Sequence, residues 1–380
     1  MSLWVVACTS RVESGSRSAA ASGESQTDTG AETSGVVCGD DGVMLGPIVV
    51  LTDADAQALE GCHTVDGDLF IGTRPECDAP DPAERVGCAG GPDLTSIEAL
   101  AELRVVTGDV RLGFAEPCLE DEGRVLDPIR LASLSALSGL ESVGGDLQLD
   151  AAGAVRGASF DGLVSVGGTL RVGRNIPAEP RFPNLETAQN VELCGRVHAL
   201  LDTPRLRMIT ESVVVADTSM TSAEFLREVE DVTLVRFDEN RLLTDLPWDA
   251  MPVGASVRLR ENPEIEAVDG AGWAPRALVV VGSASCTRVS GAGLEQIGGI
   301  EMTGSPVREA GFEDLKVVDG SFTLDTTDLE DLSGFASLER VGDGQFFIIN
   351  NPRLCQSEAE AFAARVESSG WVEVYGNADC

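Results

Sequence analysis

The sequence predicts an all-β fold: a right-handed parallel β-helix or solenoid of about 12–13 rungs, with short 3₁₀ turns and disulfide-capped ends. Three observations predict it. A short strand motif recurs about every 22 residues, apolar residues recur at every third position in three places, and cysteines lie near both ends of the array. With 43% hydrophobic and 24% charged residues, the composition is that of a folded chain.

The recurring motif is an apolar residue, a turn that usually contains glycine, and then two apolar residues separated by one other. Its first copy is Val65-Asp-Gly-Asp-Leu69-Phe-Ile71. Clear copies begin at Val143, Val166, Ile209, Val253 and Val318, and looser ones lie at Val110, Val191, Val232, Leu278, Ile300, Phe346 and Val372. Alternation places both apolar side chains on one face of a short strand, and we expect glycine to supply the φ freedom of the turn.

The spacing of the motif predicts stacked strands. From Leu170 onward the first inward residues lie 21, 22, 19, 25, 21, 22, 22, 24 and 26 residues apart, with Val232 as one of them. This period is too short for helix pairs and suits a coil of stacked strands. One strand cannot bury its apolar face alone, whereas a dozen stacked copies share a continuous interior.

A second pattern, apolar residues at every third position, predicts 3₁₀ turns, in which residues i and i+3 eclipse. It occurs in three runs, each of which leads into a strand: Leu94 to Val106, Leu131 to Val143, and Leu329 to Val341.

The third run, with Asn350-Asn351-Pro352-Arg353-Leu354-Cys355 after its strand, resembles the receptor L domain family. Its best-known members are the ligand-binding halves of the insulin and epidermal growth factor receptors. The resemblance covers about Cys38 to Cys380, and it implies cap disulfides Cys38–Cys62 and Cys355–Cys380. The chain departs from the family in size, with about twice the rungs. Because only one set of caps is found, we expect a single solenoid over residues 36–380.

The remaining cysteines are harder to assign. Cys77, Cys88 and Cys118 fall where the motif spacing swells, so we expect one pair among them to staple an inserted loop, and we favour Cys77–Cys88. Cys194 and Cys286 lie four rungs apart, about 19 Å, and cannot pair. Without a C-x-x-C motif, and with two histidines in the chain, no metal site is expected.

The amino terminus resembles a bacterial lipoprotein signal. Val5-Val6-Ala7-Cys8 matches the cleavage box, with Cys8 as the lipid attachment residue, although the basic segment and most of the apolar stretch of an export signal are missing. We therefore interpret residues 1–8 as a truncated signal, which a start codon placed too late would explain. Residues 9–35, rich in Ser, Thr, Ala and Gly, predict a disordered tether of about 30 Å. The alternatives are a chance match and a tail without function.

Charge and residue types narrow the function. With 63 acidic and 27 basic residues the net charge is −36, which disfavours nucleic acid and anionic lipid surfaces. Acidity would attract a cationic ligand or Ca²⁺, but no D-x-D-x-D-G loop is present. No apolar run approaches the 18 or so residues that span a bilayer.

Catalytic candidates are few. We expect His63 to be a cap residue and His198 to lie in a turn between strands, and we expect no cofactor. The positions between the inward pairs carry no acidic cluster and no aromatic ladder: Phe70, Arg111, Gln148, Arg171, Glu192, Val214, Thr233, Arg258, Val279, Glu301, Thr323, Phe347 and Glu373. This pattern disfavours a β-helix enzyme that cleaves polysaccharides.

The sequence therefore predicts a non-catalytic binding module, exported to the bacterial cell envelope and lipid-anchored at the outer membrane or cell surface. Its partner would be a protein or a glycan, an expectation based on analogy of fold, and the ligand-binding residues are not predicted. The alternatives are a structural envelope spacer and a polysaccharide-active β-helix enzyme. We expect specificity to lie in the irregular first turns between Ile71 and Leu147.

Overall fold

The computed structural model describes residues 38–73, 93–113, 131–150, 158–173, 180–195, 201–270 and 275–380. All belong to one compact unit, Val36–Cys380. Every strand pair in this part of the chain is parallel, and each strand pairs with the corresponding strand of the next rung. The predicted all-β parallel solenoid is confirmed.

In the first rungs, each turn of the chain contributes a side strand and then a strand of the central sheet. The strands are β1 Val43–Leu45, β2 Ile48–Val50, β3 Thr64–Asp66, β4 Leu69–Ile71, β5 Val105–Val106, β6 Val110–Leu112, β7 Ser142–Val143, β8 Leu147–Leu149, β9 Ser165–Val166 and β10 Thr169–Val172. The even-numbered strands form the central sheet. The array begins one rung before the first sequence motif, at β2.

In the next two rungs, one long strand covers both the side position and the central position. In later rungs the side strand and the central strand are separate again. The strands are β11 Thr187–Cys194, β12 Met208–Ala216, β13 Leu234–Asp238, β14 Ser256–Arg260, β15 Ala267–Asp269, β16 Ala277–Val281, β17 Arg288–Ser290, β18 Gln296–Ile297, β19 Gly299–Thr303, β20 Glu309–Gly311, β21 Val317–Val318, β22 Phe322–Asp325, β23 Arg340–Val341, β24 Gln345–Ile349, β25 Glu367–Ser368 and β26 Trp371–Tyr375. The central sheet continues through β13, β14, β16, β19, β22, β24 and β26.

Short helices occupy the corners. Each of the three period-three runs contains a predicted 3₁₀ turn, at Glu98–Leu100, Ser135–Gly139 and Ser333–Phe335. Two further 3₁₀ turns, Glu224–Glu228 and Trp248–Ala250, were not predicted, although the first lies in a run with the same spacing: Met220, Ala223, Leu226, Val229 and Val232. The α-helices are α1 Asp53–Gln57 and α2 Gln356–Arg365.

The core is one continuous apolar column inside the coil. It takes the inward residues of the central strands up to β24 together with the period-three residues, of which Leu94 and Val106 are fully buried; in the last strand, β26, Val372 is 43% exposed. Near the carboxyl end it becomes aromatic, where Phe322 contacts Phe335 and Phe346 edge-on. Burying a Leu or Phe side chain contributes about 1.5–3 kcal/mol, so the stacked rungs stabilise one another.

The sequence prediction placed one strand out of register. Val232 was taken as the first inward residue, with Thr233 pointing outward, but the strand is β13 and its inward residues are Val235 and Phe237. Val235 pairs with Val213 on one side and Val257 on the other, so both spacings are 22 residues and the irregular values of 19 and 25 were wrong. Val232 is buried as well, in the turn before the strand, which is why it fitted the pattern.

At two of the turns before the central strands, glycine is needed for close approach between rungs. A Cβ atom at Gly144 would lie 2.1 Å from the carbonyl oxygen of Thr107, and one at Gly342 would lie 1.7 Å from that of Asp319. Neither residue has a positive φ. The expected reason, φ freedom, is therefore wrong for these two turns: a side chain would separate the stacked backbones.

The φ freedom predicted for the turns is used at Gly67 (φ 134°) and Gly254 (φ 83°), and positive φ also recurs directly after the central strands. In the last eight rungs this position is left-handed whatever the residue, as at Glu239 (φ 57°), Glu261 (φ 54°) and Gly282 (φ 62°). The residue that follows is polar and, in seven of these rungs, fully buried. We call this column the exit ladder: Thr218, Asn240, Asn262, Ser283, Ser305, Thr327, Asn351 and Asn377.

The exit ladder connects rungs by hydrogen bonds. The backbone N–H of Asn240 donates to Asn262 Oδ1 at 3.1 Å, and Asn262 Nδ2 donates back to the Phe237 carbonyl at 2.8 Å. The same exchange recurs at the carboxyl end, where the backbone N–H of Asn351 donates to Asn377 Oδ1 and Asn377 Nδ2 donates back to the Ile348 carbonyl. Buried backbone groups at the corner are satisfied in this way where no strand continues.

Both ends of the array are fixed by covalent and local contacts. Cys38 is joined to Cys62 and Cys355 to Cys380, the two pairs that the resemblance implied. Near the first end, Thr52 and Asp55 form a capping box at α1, and the Asp53 carboxylate accepts from the backbone N–H groups of Thr95 and Ser96. Helix α1 is thereby tied to the following rung.

Candidate functional site

The outer face of the central sheet is a continuous surface formed by the repeat. Strand register aligns one outward residue per rung in a central column: Val49, Phe70, Arg111, Gln148, Arg171, Glu192, Val214, Arg236, Arg258, Val279, Glu301, Thr323, Phe347 and Glu373. The position assigned to Thr233 from sequence belongs to Arg236. The column thus holds four arginines in a chain of net charge −36.

Three of these arginines have a carboxylate partner on the same face. Arg111 donates to Asp109 Oδ2 at 2.9 Å, and Arg171 Nε lies 3.6 Å from Glu192 Oε2. Arg236 pairs with Asp238, which is 2% exposed and lies two positions further along the same strand.

Arg258 is different. It stands directly beside Arg236 in the strand register, so the two arginine side chains project from adjacent strands. Neighbouring strands of a sheet lie about 4.8 Å apart. Within the described ranges Arg258 has no carboxylate partner, and its Nε is buried without an acceptor. Its other neighbour in the column is Val279, so the adjacent rung adds no negative charge.

An aspartate ladder lines the edge of the same face in the first rungs. Asp68 accepts from the backbone N–H of Asp109 at 2.8 Å, and Asp109 accepts from that of Asp146 at 2.9 Å. Burial raises the pKa of Asp109, and the negative charges of Asp146 and Asp68 raise it further, although the hydrogen bond from Asp146 opposes both. These carboxylates hold successive rungs together, so their hydrogen bonds account for their position.

A polar groove of about 310 Å³ lies on another face, beside β20 and the 3₁₀ turn at Ser333–Phe335. Arg288, Arg308, Glu309, Glu313 and Asp331 contribute its charges. Arg308 pairs with Asp328 at 3.7 Å, outside the groove lining. Both signs of charge line the groove, so its charges do not indicate one class of ligand.

The other cysteines can be placed only in part. Cys8, Cys77, Cys88 and Cys118 lie outside the described residues, so the Cys77–Cys88 pairing stays a prediction. Cys194 is in a disulfide, which the sequence did not predict; its partner also lies outside the described residues.

Cys286 is buried and free, as expected if it cannot reach Cys194. Burial raises the pKa of the Cys286 thiol to about 11. This thiol is therefore protonated at neutral pH and belongs to the core.

His63 serves as a contact between rungs, with Nδ1 3.2 Å from the Glu102 carbonyl oxygen, whereas His198 lies outside the described residues. Across the described residues there is no cluster of three or more His, Cys, Asp or Glu side chains able to hold a metal ion.

None of the helices in the described part of the chain is long and apolar enough to span a membrane.

Sequence reasoning missed the arginine pair because it misplaced one strand. A signal was present: Val235-Arg236-Phe237 and Val257-Arg258-Leu259 repeat the same apolar-Arg-apolar triplet at a spacing of 22. The register of β13 against β14 makes the two arginines neighbours.

Comparisons with protein-family models, with curated proteins and with solved structures found no match to this chain. The receptor L domain resemblance therefore rests on the motifs quoted above.

Proposed function

We propose that this chain is a non-catalytic binding module of receptor L domain type that recognises a partner at the bacterial cell surface through the outer face of its central sheet. The observation that carries the proposal is the continuous column from Val49 to Glu373, which gathers arginines in a strongly acidic chain. Sheet faces that present side chains at a fixed spacing suit recognition of a protein or glycan.

The chemistry of the column favours binding over catalysis. Its carboxylates are spread along the sheet, and Glu192 is paired with Arg171 at 3.6 Å. A glycosidase needs two carboxyl groups facing one another about 5 to 10 Å apart across a bound sugar. Arg111 and Arg236 are also held by carboxylates, which makes this part of the face preorganised.

The test is partner capture from envelope extract with the purified chain. In the variant carrying Val279→Tyr and Thr323→Tyr, two bulky side chains project from the outer face while the inward residues are unchanged. We expect a reproducible partner with the wild-type chain and loss of that partner with the variant.

Ala364→Tyr is the matched control, since Ala364 is exposed on α2 and does not belong to the outward column of the central sheet. Capture that survives the double substitution would refute the sheet face as the binding surface. Absence of any reproducible partner would favour the structural spacer.

The proposal includes export and lipid attachment at Cys8, followed by a tether over residues 9–35. Mass spectrometry of the amino-terminal peptide from membrane-derived protein tests this part. We expect a cysteine amino terminus carrying acyl chains; an unmodified Cys8 would contradict the anchor and leave the binding face unaffected.

A further inference from the structure

We infer that Arg236 and Arg258 form a site for a carboxylate of the partner, supplied by an aspartate or glutamate of an acidic protein segment. The inference rests on the proposed function and specifies the chemistry of its partner. Three features carry it: the two arginines are adjacent, one of them is not neutralised, and their neighbours on either side in the central column are apolar.

The adjacency of the two arginines is unfavourable for the isolated protein. Like charges side by side on neighbouring strands destabilise a sheet. Asp238 neutralises Arg236 from the same strand, and its other oxygen, Oδ1, is buried without a hydrogen bond. Arg258 therefore keeps its full charge next to the Arg236–Asp238 ion pair. A bound anion would relieve the repulsion between the two arginines.

The geometry of Arg258 leaves its terminal nitrogens available. Nε is buried, so the inner part of the side chain is packed against protein. The two terminal nitrogens are neither buried without a partner nor engaged by any residue of the described ranges. A planar guanidinium with both terminal groups available matches the two oxygens of a carboxylate, and its packed stem reduces the entropy lost on binding.

The surroundings of the pair favour a protein carboxylate over a sugar acid. The pair is flanked in the column by Val214 and Val279, both half-buried, and not by aromatic rings on which a sugar could stack. The aromatic members of the column, Phe70 and Phe347, stand several rungs away. An acidic side chain bordered by apolar residues complements this surface, whereas the rest of this acidic chain would repel it.

The test measures binding of two probes to the full chain: a capped hexaglutamate peptide and a galacturonate hexamer. Arg258→Gln should weaken hexaglutamate binding at least tenfold, because it removes the fork that holds the carboxylate. Arg236→Gln should weaken it as well. Arg258→Lys keeps the charge without the fork and should lie between Arg258→Gln and wild type.

Arg353→Gln is the matched control: it removes one positive charge from an exposed arginine that pairs with Glu330, outside the central column. We expect a change of less than twofold. A direct readout is the Nε–H resonance of Arg258 in a ¹⁵N spectrum, which should shift on addition of hexaglutamate.

The outcomes separate this inference from the proposed function. Equal binding by Arg258→Gln and Arg353→Gln, or no binding of either probe, would overturn the carboxylate site. Tighter binding of the galacturonate hexamer with the same dependence on Arg258 would overturn the protein assignment in favour of a glycan. If partner capture still depends on Val279 and Thr323 in any of these cases, the binding module stands without this site.

Discussion

The Asn262→Ala substitution tests whether the exit ladder holds the rungs together. The Asn262 side chain makes four hydrogen bonds: its Oδ1 accepts from the backbone N–H and from Nδ2 of Asn240, and its Nδ2 donates to the carbonyls of Phe237 and Arg260. Alanine removes all four and leaves two buried donors of Asn240 without these acceptors. Each orphaned donor costs about 1–3 kcal/mol, so we expect a loss of about 4 kcal/mol in the free energy of unfolding.

The measurement is urea unfolding followed by circular dichroism and by tryptophan fluorescence, with the midpoint and slope compared between variants. Glu301→Ala is the matched control, because Glu301 is a half-buried outward residue of the central sheet. Its effect should stay within about 0.5 kcal/mol. A loss below about 1 kcal/mol for Asn262→Ala would refute the stabilising role of the ladder.

Three further substitutions have defined expectations. Glu239→Gly relieves a left-handed backbone (φ 57°) and should raise stability by about 1 kcal/mol; a lower urea midpoint would contradict the strain. The hydrogen bond from the Ser96 backbone lowers the pKa of Asp53. The ionised Asp53 carboxylate therefore stabilises the fold above about pH 4, and this stabilisation is lost as the pH falls through the pKa that Asp53 has in the folded protein. Asp53→Asn should therefore lower Tm at pH 7 and leave it unchanged near pH 2; an equal effect at both pH values would refute this linkage. Replacing Cys355 and Cys380 together by serine opens a link between residues 25 apart and should cost about 3.5 kcal/mol in the chain-entropy account; an unchanged urea midpoint would show that the bond does not stabilise the cap.

The fold could be predicted because its signals are periodic. Two signals each mark one part of a rung: the short apolar alternation at a spacing near 22 residues, and the period-three runs. Both recur so often that one misplaced strand does not change the predicted fold. Register within one rung could not be fixed this way, because Val232 and Val235 are both buried. Only the neighbouring strands, through Val213 and Val257, decide which of them begins the inward pair.

The exit ladder and the arginine pair were harder to predict for a different reason. Asn240 and Asn262 are polar residues after acidic ones, a combination typical of exposed loops, yet both are fully buried. Their side-chain amides donate to carbonyls of the preceding rung, 25 residues away. The arginine pair likewise exists only through the contact between rungs, and a residue-by-residue analysis does not identify it.

The exit ladder also divides each rung into a part of constant length and a part of variable length. Asn240, Asn262 and Asn351 each follow the first inward residue of their strand by five positions. The remainder of the rung varies: the step from Val257 to its partner Leu278 is 21 residues. That from Phe346 to Val372 is 26 and accommodates helix α2. Insertions are therefore tolerated on the side of the solenoid away from the central sheet, and this side can change in length and shape while the spacing of the outer face is preserved.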